Sequence, residues 1–243
     1  MELTEKLKKE LKEQSLKDTT KECCGLFVEN KGIKYIPLVN KSNDEEGSFA
    51  IDYVQLQEAE KAGKIIGIFH SHLEGDFSVV DKHIAEKRNL VSVIYKIKED
   101  EFEIYKPIGL EIPYCGRTFV LGVFDCFTLI QDYYARELNI IIPDSKHKNR
   151  YRLDLEDDEM NCPDCMDSLN HFLNNGFQKV STPKKHDVLC NRYGGMKFPT
   201  HGLIYLGGNK VLHQSILRPS CIEDYSEQLK KLTMYIVRHE SNI

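Results

Sequence analysis

At 243 residues, with 41% hydrophobic and 29% charged side chains, the chain can bury one large core or two of roughly 120 residues each, and two is the starting expectation. Its net charge of −5 comes without a concentrated Lys/Arg block, which argues against nucleic acid as the main partner, because phosphate neutralisation needs a basic face. No run approaches the roughly 20 apolar residues of a membrane span, and the charged opening Met1-Glu2-Leu3-Thr4-Glu5-Lys6 is not a secretory signal, so folding in the cytoplasm is expected.

In chain order, Leu3, Leu7 and Leu11 recur at helical intervals. Cys24-Gly25-Leu26-Phe27-Val28 and Ile33 to Leu38 read as strands of a hairpin turning at Asn30-Lys31-Gly32. Asp52 caps a helix to about Lys61, and Gly63 ends it. Ile65 to Phe69 is a buried strand with His70-Ser71-His72 at its end. A helix from Asp81 to Arg88 and strands from Leu90 to Ile97 and Phe102 to Lys106 complete an α/β unit. A boundary near Pro107 to Pro113 divides the chain into domains 1–107 and 112–243.

Beyond that boundary, Phe127, Ile130, Tyr134 and Leu138 space a helix that starts at Cys126. Segment 145–176 is polar and acidic, with a helix at Met166 to Asn174. Four strand-like runs follow: Asp187 to Asn191, Gly202 to Leu206, Lys210 to Gln214 and Leu232 to Arg238. The second half is thus a helix followed by an antiparallel sheet, and the fold class of the whole is α+β.

Two histidines one residue apart on a strand point the same way, so His70 and His72 can share one metal, with Asp81 from the following helix as third ligand. Three protein ligands leave zinc a position for water, whose pKa falls toward roughly 7. Glu22, just before the first strand, is the candidate base, and Ser78 the candidate hydrogen-bond donor to the oxyanion. Taken alone, an H-x-H at a strand end is a polar turn; the acid, the serine and the aspartate in order make it a site. Glu22-Cys23-Cys24-Gly25, His70-Ser71-His72 and Ser78-Val79-Val80-Asp81 resemble the JAMM/MPN metallopeptidases, which cleave peptide or isopeptide bonds. That resemblance implies an α/β domain holding one Zn2+. Leu73 stands where those enzymes usually have proline, and the stretch from His72 to Asp81 is shorter than theirs.

Eight cysteines in a chain expected to fold in the cytoplasm suit thiol chemistry, metal binding or burial better than disulfides. Cys126 has chemical neighbours: it opens a helix, whose N-terminus stabilises a thiolate, and two histidines follow on neighbouring strands. In a hairpin turning at Gly208-Asn209, His201 and His213 lie nearly opposite each other, so one imidazole can orient the other, giving nucleophile, base and orienter. Asp125-Cys126-Phe127-Thr128-Leu129, Lys185-His186-Asp187, His201-Gly202-Leu203-Ile204-Tyr205 and Val211-Leu212-His213 resemble the NlpC-type papain-like cysteine peptidases. The resemblance implies peptidoglycan stem peptides as substrate, with Cys126 as nucleophile, His201 as general base and His213 as third residue. Cys162-Pro163-Asp164-Cys165 has metal-ligand spacing but lacks the second pair that a structural zinc site wants, and reads as a loop with exposed thiols.

A JAMM-like domain fused to an NlpC-type domain resembles the tail tip assembly proteins of lambda-like phages. This implies other phage tail tip proteins as partners, the host cytoplasm during assembly as location, and the virion tail tip afterwards. The competing reading is a non-catalytic assembly factor that uses two degenerate peptidase folds as docking modules. An isopeptidase of the deubiquitinase kind fits the first domain alone.

Overall fold

The computed structural model describes residues 2–42, 49–144, 167–193 and 198–242, and the chain divides into two units, Met1–Ile112 and Pro113–Ile243. The Cys162-Pro163-Asp164-Cys165 motif lies outside the described residues. Among those described, no helix is long and apolar enough to cross a membrane.

The first unit runs α1 (Glu5–Ser15), β1 (Cys24–Glu29), β2 (Ile33–Leu38), α2 (Tyr53–Ala62), β3 (Lys64–His72), α3 (Val79–Arg88), β4 (Val91–Lys96) and β5 (Glu101–Tyr105). The strands form one sheet in the order β2-β1-β3-β4-β5. Only β3 and β4 pair in parallel, and α3 supplies the crossover that a parallel pair requires. Alternation sends Leu26, Val28 and Ile68 to a core with Ala59 of α2, and Phe27 and Phe69 to a core with Leu3 and Leu11 beside α1. Both faces of the sheet are covered, which is why β1 and β3 read as continuous apolar runs. Glu86 of α3 accepts backbone N–H bonds from Ile108, Gly109 and Leu110, and this ties the segment after β5 into the first unit.

The second unit contains α4 (Cys126–Leu138), α5 (Asp167–Leu173), β6 (Phe177–Val180), β7 (Val188–Asn191), β8 (His201–Gly207), β9 (Lys210–Ser215), β10 (Arg218–Asp224), α6 (Glu227–Leu232) and β11 (Thr233–His239). Its sheet has the order β10-β9-β8-β7-β11-β6, with every pairing antiparallel. Leu129, Ile130, Tyr133 and Tyr134 of α4 pack on Val188, Cys190, Ile204 and Leu212. Leu189, Leu203 and Val211 join a second cluster with Tyr225 and Leu229. Gly202 permits this packing: a Cβ there would come within 2.7 Å of Ile130 Cδ1. Asp187, fully buried, is held by two 2.8 Å bonds from Arg238 and one from the Lys184 N–H. Such a buried pair needs this full set of partners to offset its desolvation.

The sheet has six strands where four strand-like runs were expected, and α6 is added. The four expected runs correspond to β7, β8, β9 and β11. β10 carries Pro219 and lies at the sheet edge, the position where proline and charge are tolerated in a strand. Local polarity hid it.

Candidate active sites

In the first unit, β3 extends the Ile68 face outward, so His70 and His72 project from the same side of its end. Their Nε2 atoms face each other at 2.9 Å. His72 directs Nδ1 at the Gly75 carbonyl, 3.3 Å away, a contact that places the proton on Nδ1 and leaves Nε2 with a lone pair. His70 Nδ1 is buried with no hydrogen-bond partner among the described residues, so the polar contacts of that ring are all made through Nε2. Burial pushes the His70 pKa down, keeping the imidazole neutral, the form that ligates metal.

Ser71 sits between them on the opposite side, and its hydroxyl accepts the Cys23 N–H at 2.9 Å while its own N–H donates to the Cys23 carbonyl. Asn40 donates to the Glu22 carbonyl. Together these hold Glu22 so that its carboxylate lies 3.8 Å from His72 Nε2. Asp81 presents one oxygen to His70 at 3.4 Å and the other to His72 at 3.7 Å. Among the described residues, the group of three donor side chains within 4.8 Å of one another is Glu22, His70 and His72; Asp81, the expected third ligand, is not in it. Despite the shortened loop, Asp81 reaches both rings.

Ser78 has a local task. It is the N-cap of α3: its hydroxyl accepts the Asp81 N–H while its own N–H donates to the Asp81 carboxylate, which makes a capping box, and the hydroxyl also donates to that carboxylate at 2.7 Å. Burial alone would raise the Asp81 pKa, but hydrogen bonds from His70 and Ser78 outweigh it and hold the carboxyl down at about 2. The hydroxyl expected to donate to an oxyanion is therefore engaged with the carboxylate beside the histidines.

In the second unit, Asp125 caps α4: its carboxylate accepts the Thr128 and Gly122 N–H groups, and the Thr128 hydroxyl accepts the Asp125 N–H. That fixes Cys126 as the first residue of α4, at the positive end of the helix dipole. The Ile130 to Gly202 contact one turn later lays this end of α4 against β8. Burial, with the nearby Cys126 adding to it, pushes the Cys190 thiol up to about 12; Cys190 is the cross-strand partner of Gly202.

His201 opens β8, and its Nε2 lies 3.0 Å from His213 Nδ1 on β9. The strand register pairs His213 with Leu203, so the two histidines stand diagonally across the hairpin, not directly opposite. Counted from the Gly207–Lys210 pair without a break, His213 would face Ile204; the register shift between Tyr205 and Gly207, next to the left-handed turn Gly207-Gly208-Asn209, moves it to Leu203 and so onto the same face as His201. Burial, followed by the neighbouring His213, holds His201 down at about 3, and burial also lowers His213. Both imidazoles are therefore neutral at neutral pH.

Two residues that the sequence did not single out complete this chain of contacts. Glu223 Oε1 of β10 lies 2.8 Å from His213 Nε2, and Arg218 Nη2 lies 2.6 Å from the same oxygen. Burial alone would raise Glu223, but Arg218 and His213 more than offset it and hold the carboxyl below its ordinary value. With His213 neutral, its contact to Glu223 is an N–H to carboxylate hydrogen bond. The signal that could have found Glu223 is its offset of two from Cys221, the cross-strand partner of His213, which puts it on the His213 face once β10 is recognised as a strand.

The NlpC/P60 family model matches residues 115–238, and the model for prokaryotic homologs of the JAB domain matches residues 4–106. The chain is 28% identical over 224 residues to tail tip assembly protein K of Escherichia phage N15, covering 90% of this chain and 88% of that protein. It is also 28% identical over 199 residues to tail tip assembly protein K of Escherichia phage lambda, covering 76% and 86%. Among solved structures, an NLP/P60-family protein similar to a lipoprotein from Staphylococcus aureus matches 52% of this chain and 37% of its own, at 22% identity and a TM-score of 0.34. The NlpC/p60 domain of the peptidoglycan hydrolase SagA matches 51% and 89%, at 17% identity and a TM-score of 0.32.

Proposed function

We propose, from the premise that the chain belongs to the NlpC/P60 family through residues 115–238, that Cys126, His201 and His213 form a cysteine peptidase centre that cuts peptidoglycan stem peptides at a phage tail tip. The observation that carries this reading is the 3.0 Å bond between two neutral imidazoles, half-buried His201 and buried His213, in the sheet on which the Cys126 helix packs. A neutral imidazole is the form that can accept a thiol proton. In the reaction, the Cys126 Sγ proton passes to His201 as sulfur attacks the peptide carbonyl carbon. The Cys126 N–H, at the helix N-terminus, would donate to the oxygen that becomes negative. Collapse breaks the C–N bond, His201 returns the proton to the departing amine, and water then attacks the thioester with His201 again as base, breaking the C–S bond and returning the proton to Cys126 Sγ. His213 keeps the His201 ring in position throughout.

The similarity to proteins named for tail tip assembly, over 90% of the chain, supports action with other tail tip proteins in the infected bacterium and at the finished tail tip. It equally accommodates an assembly factor without turnover, and one experiment separates the two. Wild-type protein should release stem-peptide fragments from purified cell wall, and folded Cys126→Ala and His201→Ala variants should release none. No release by the wild type, together with normal plaques from a Cys126→Ala phage, would leave the assembly role alone.

For the first unit, His70, His72 and Asp81 would hold a Zn2+ ion, with Glu22 as base or as an alternative carboxylate ligand. Two imidazole nitrogens and a carboxylate are a donor set that zinc takes. Bound there, zinc would supply a water acidified for attack on a peptide or isopeptide carbonyl. Glu22 would accept that water's proton, and Ser78 would orient Asp81. Elemental analysis should find about one zinc per chain in protein purified without chelator, lost in His70→Ala/His72→Ala. Metal-free wild-type protein that stays metal-free on incubation with zinc would contradict this site.

A further inference from the structure

Resting on the peptidase reading above, we infer that Glu223 is a positioning residue that sets the direction of protons along the histidine chain, and that Arg218 is the group it must outcompete. His213 Nε2 faces both. Glu223 Oε1 is 2.8 Å away and can only accept; Arg218 Nη2 is 3.2 Å away and can only donate. Cys221 Sγ, a weak donor or acceptor, stands farther off at 3.8 Å. These contacts favour opposite tautomers.

If Glu223 wins, the His213 proton sits on Nε2, and Nδ1 carries a lone pair. That lone pair accepts the proton on His201 Nε2 across the 3.0 Å contact, which leaves His201 Nδ1 unprotonated as the basic nitrogen. If Arg218 wins, every step reverses. His213 Nε2 accepts from the guanidinium, and its Nδ1–H donates to His201 Nε2. The His201 proton then moves to Nδ1, and the ring's only basic nitrogen is the one already occupied by His213. A neutral imidazole has one donor and one acceptor nitrogen, so a choice made at Glu223 is passed through two rings.

Geometry favours Glu223. Its contact is shorter and carries a full negative charge, and its 2.6 Å pairing with Arg218 draws the guanidinium onto the carboxylate. Arg218 thus has two effects: it keeps Glu223 ionised, and it becomes the wrong donor when Glu223 is removed.

The test is nitrogen NMR of the full chain with labelled histidine, read together with wall-fragment release. In wild-type protein, His213 should be protonated on Nε2 and His201 on Nε2. Glu223→Ala should move both protons to Nδ1 and lower kcat by roughly 100-fold or more, within the range that a correctly placed general base contributes, with KM changed by less than about threefold. Arg218→Ala should keep the wild-type tautomers. Glu223→Ala/Arg218→Ala should recover at least about tenfold of the lost kcat, a rescue that a merely structural Glu223 would not produce. Wild-type His213 protonated on Nδ1, or a double variant no better than Glu223→Ala, would overturn the inference. If wild-type protein shows the expected tautomers but releases no fragments, the peptidase reading fails and the proton ordering stands.

Discussion

Burying two imidazoles in one hydrogen-bonded pair makes the second unit sensitive to acid. His201 is held near 3 in the folded chain against an ordinary value of 6.5, because burial penalises its charged form, and His213 moves in the same direction. Between those values the unfolded chain binds more protons than the folded one, so the stability these groups permit is fully present above about pH 6.5 and is lost as pH falls toward about 3. His201→Asn should flatten the slope of unfolding free energy against pH in that window, by at most about 1.4 kcal/mol per pH unit. Identical acid profiles for the two proteins would contradict the burial argument. At this scale, the approach of Asp81 to His70 and His72, the contact of His201 with His213 and the place of Cys126 at a helix start were legible in the sequence, because each follows from spacing along one element or its neighbour. Glu223 and Arg218 were not, since charged side chains carry a meaning only through the neighbour that a strand register gives them.

Packing of α4 on β8 depends on a missing side chain. A Cβ on Gly202 would lie 2.7 Å from Ile130 Cδ1, close enough that the tip of Ile130 must move. Gly202→Ala should therefore cost about 1–3 kcal/mol, read from the denaturation midpoint, and Ile130→Val in the same chain should recover part of it. Full additivity of the two changes would show that the contact does not couple them. Helices α1 to α4 and strands β1 to β5 were legible to within a few residues, since their apolar periods are long and their caps, Thr4, Asp52, Ser78 and Asp125, are residues that prefer that place. β10 was missed because its proline and charges suit a sheet edge, and that loss concealed the two charged residues that face His213 Nε2. The diagonal placing of the histidines was likewise out of reach, because it depends on a register shift at Tyr205/Gly207 and not on the number of residues in the turn.

Each of the two units has its own sheet and its own core, so the side-chain cluster in each is held by structure local to its own unit. The peptidase reading requires that one of the eight cysteines behave unlike the others. Burial pushes the thiols of Cys24 and Cys190 up to about 12 and also raises that of Cys23, which makes them poor nucleophiles. Cys115 is exposed and supplies an internal reference. Timed alkylation of the native chain with iodoacetamide at neutral pH, followed peptide by peptide, measures the difference directly. Cys126 should be modified faster than Cys115, and His201→Ala should remove that lead while the rate at Cys115 stays the same; a Cys126 that reacts no faster than Cys115 in the wild-type protein would contradict the account.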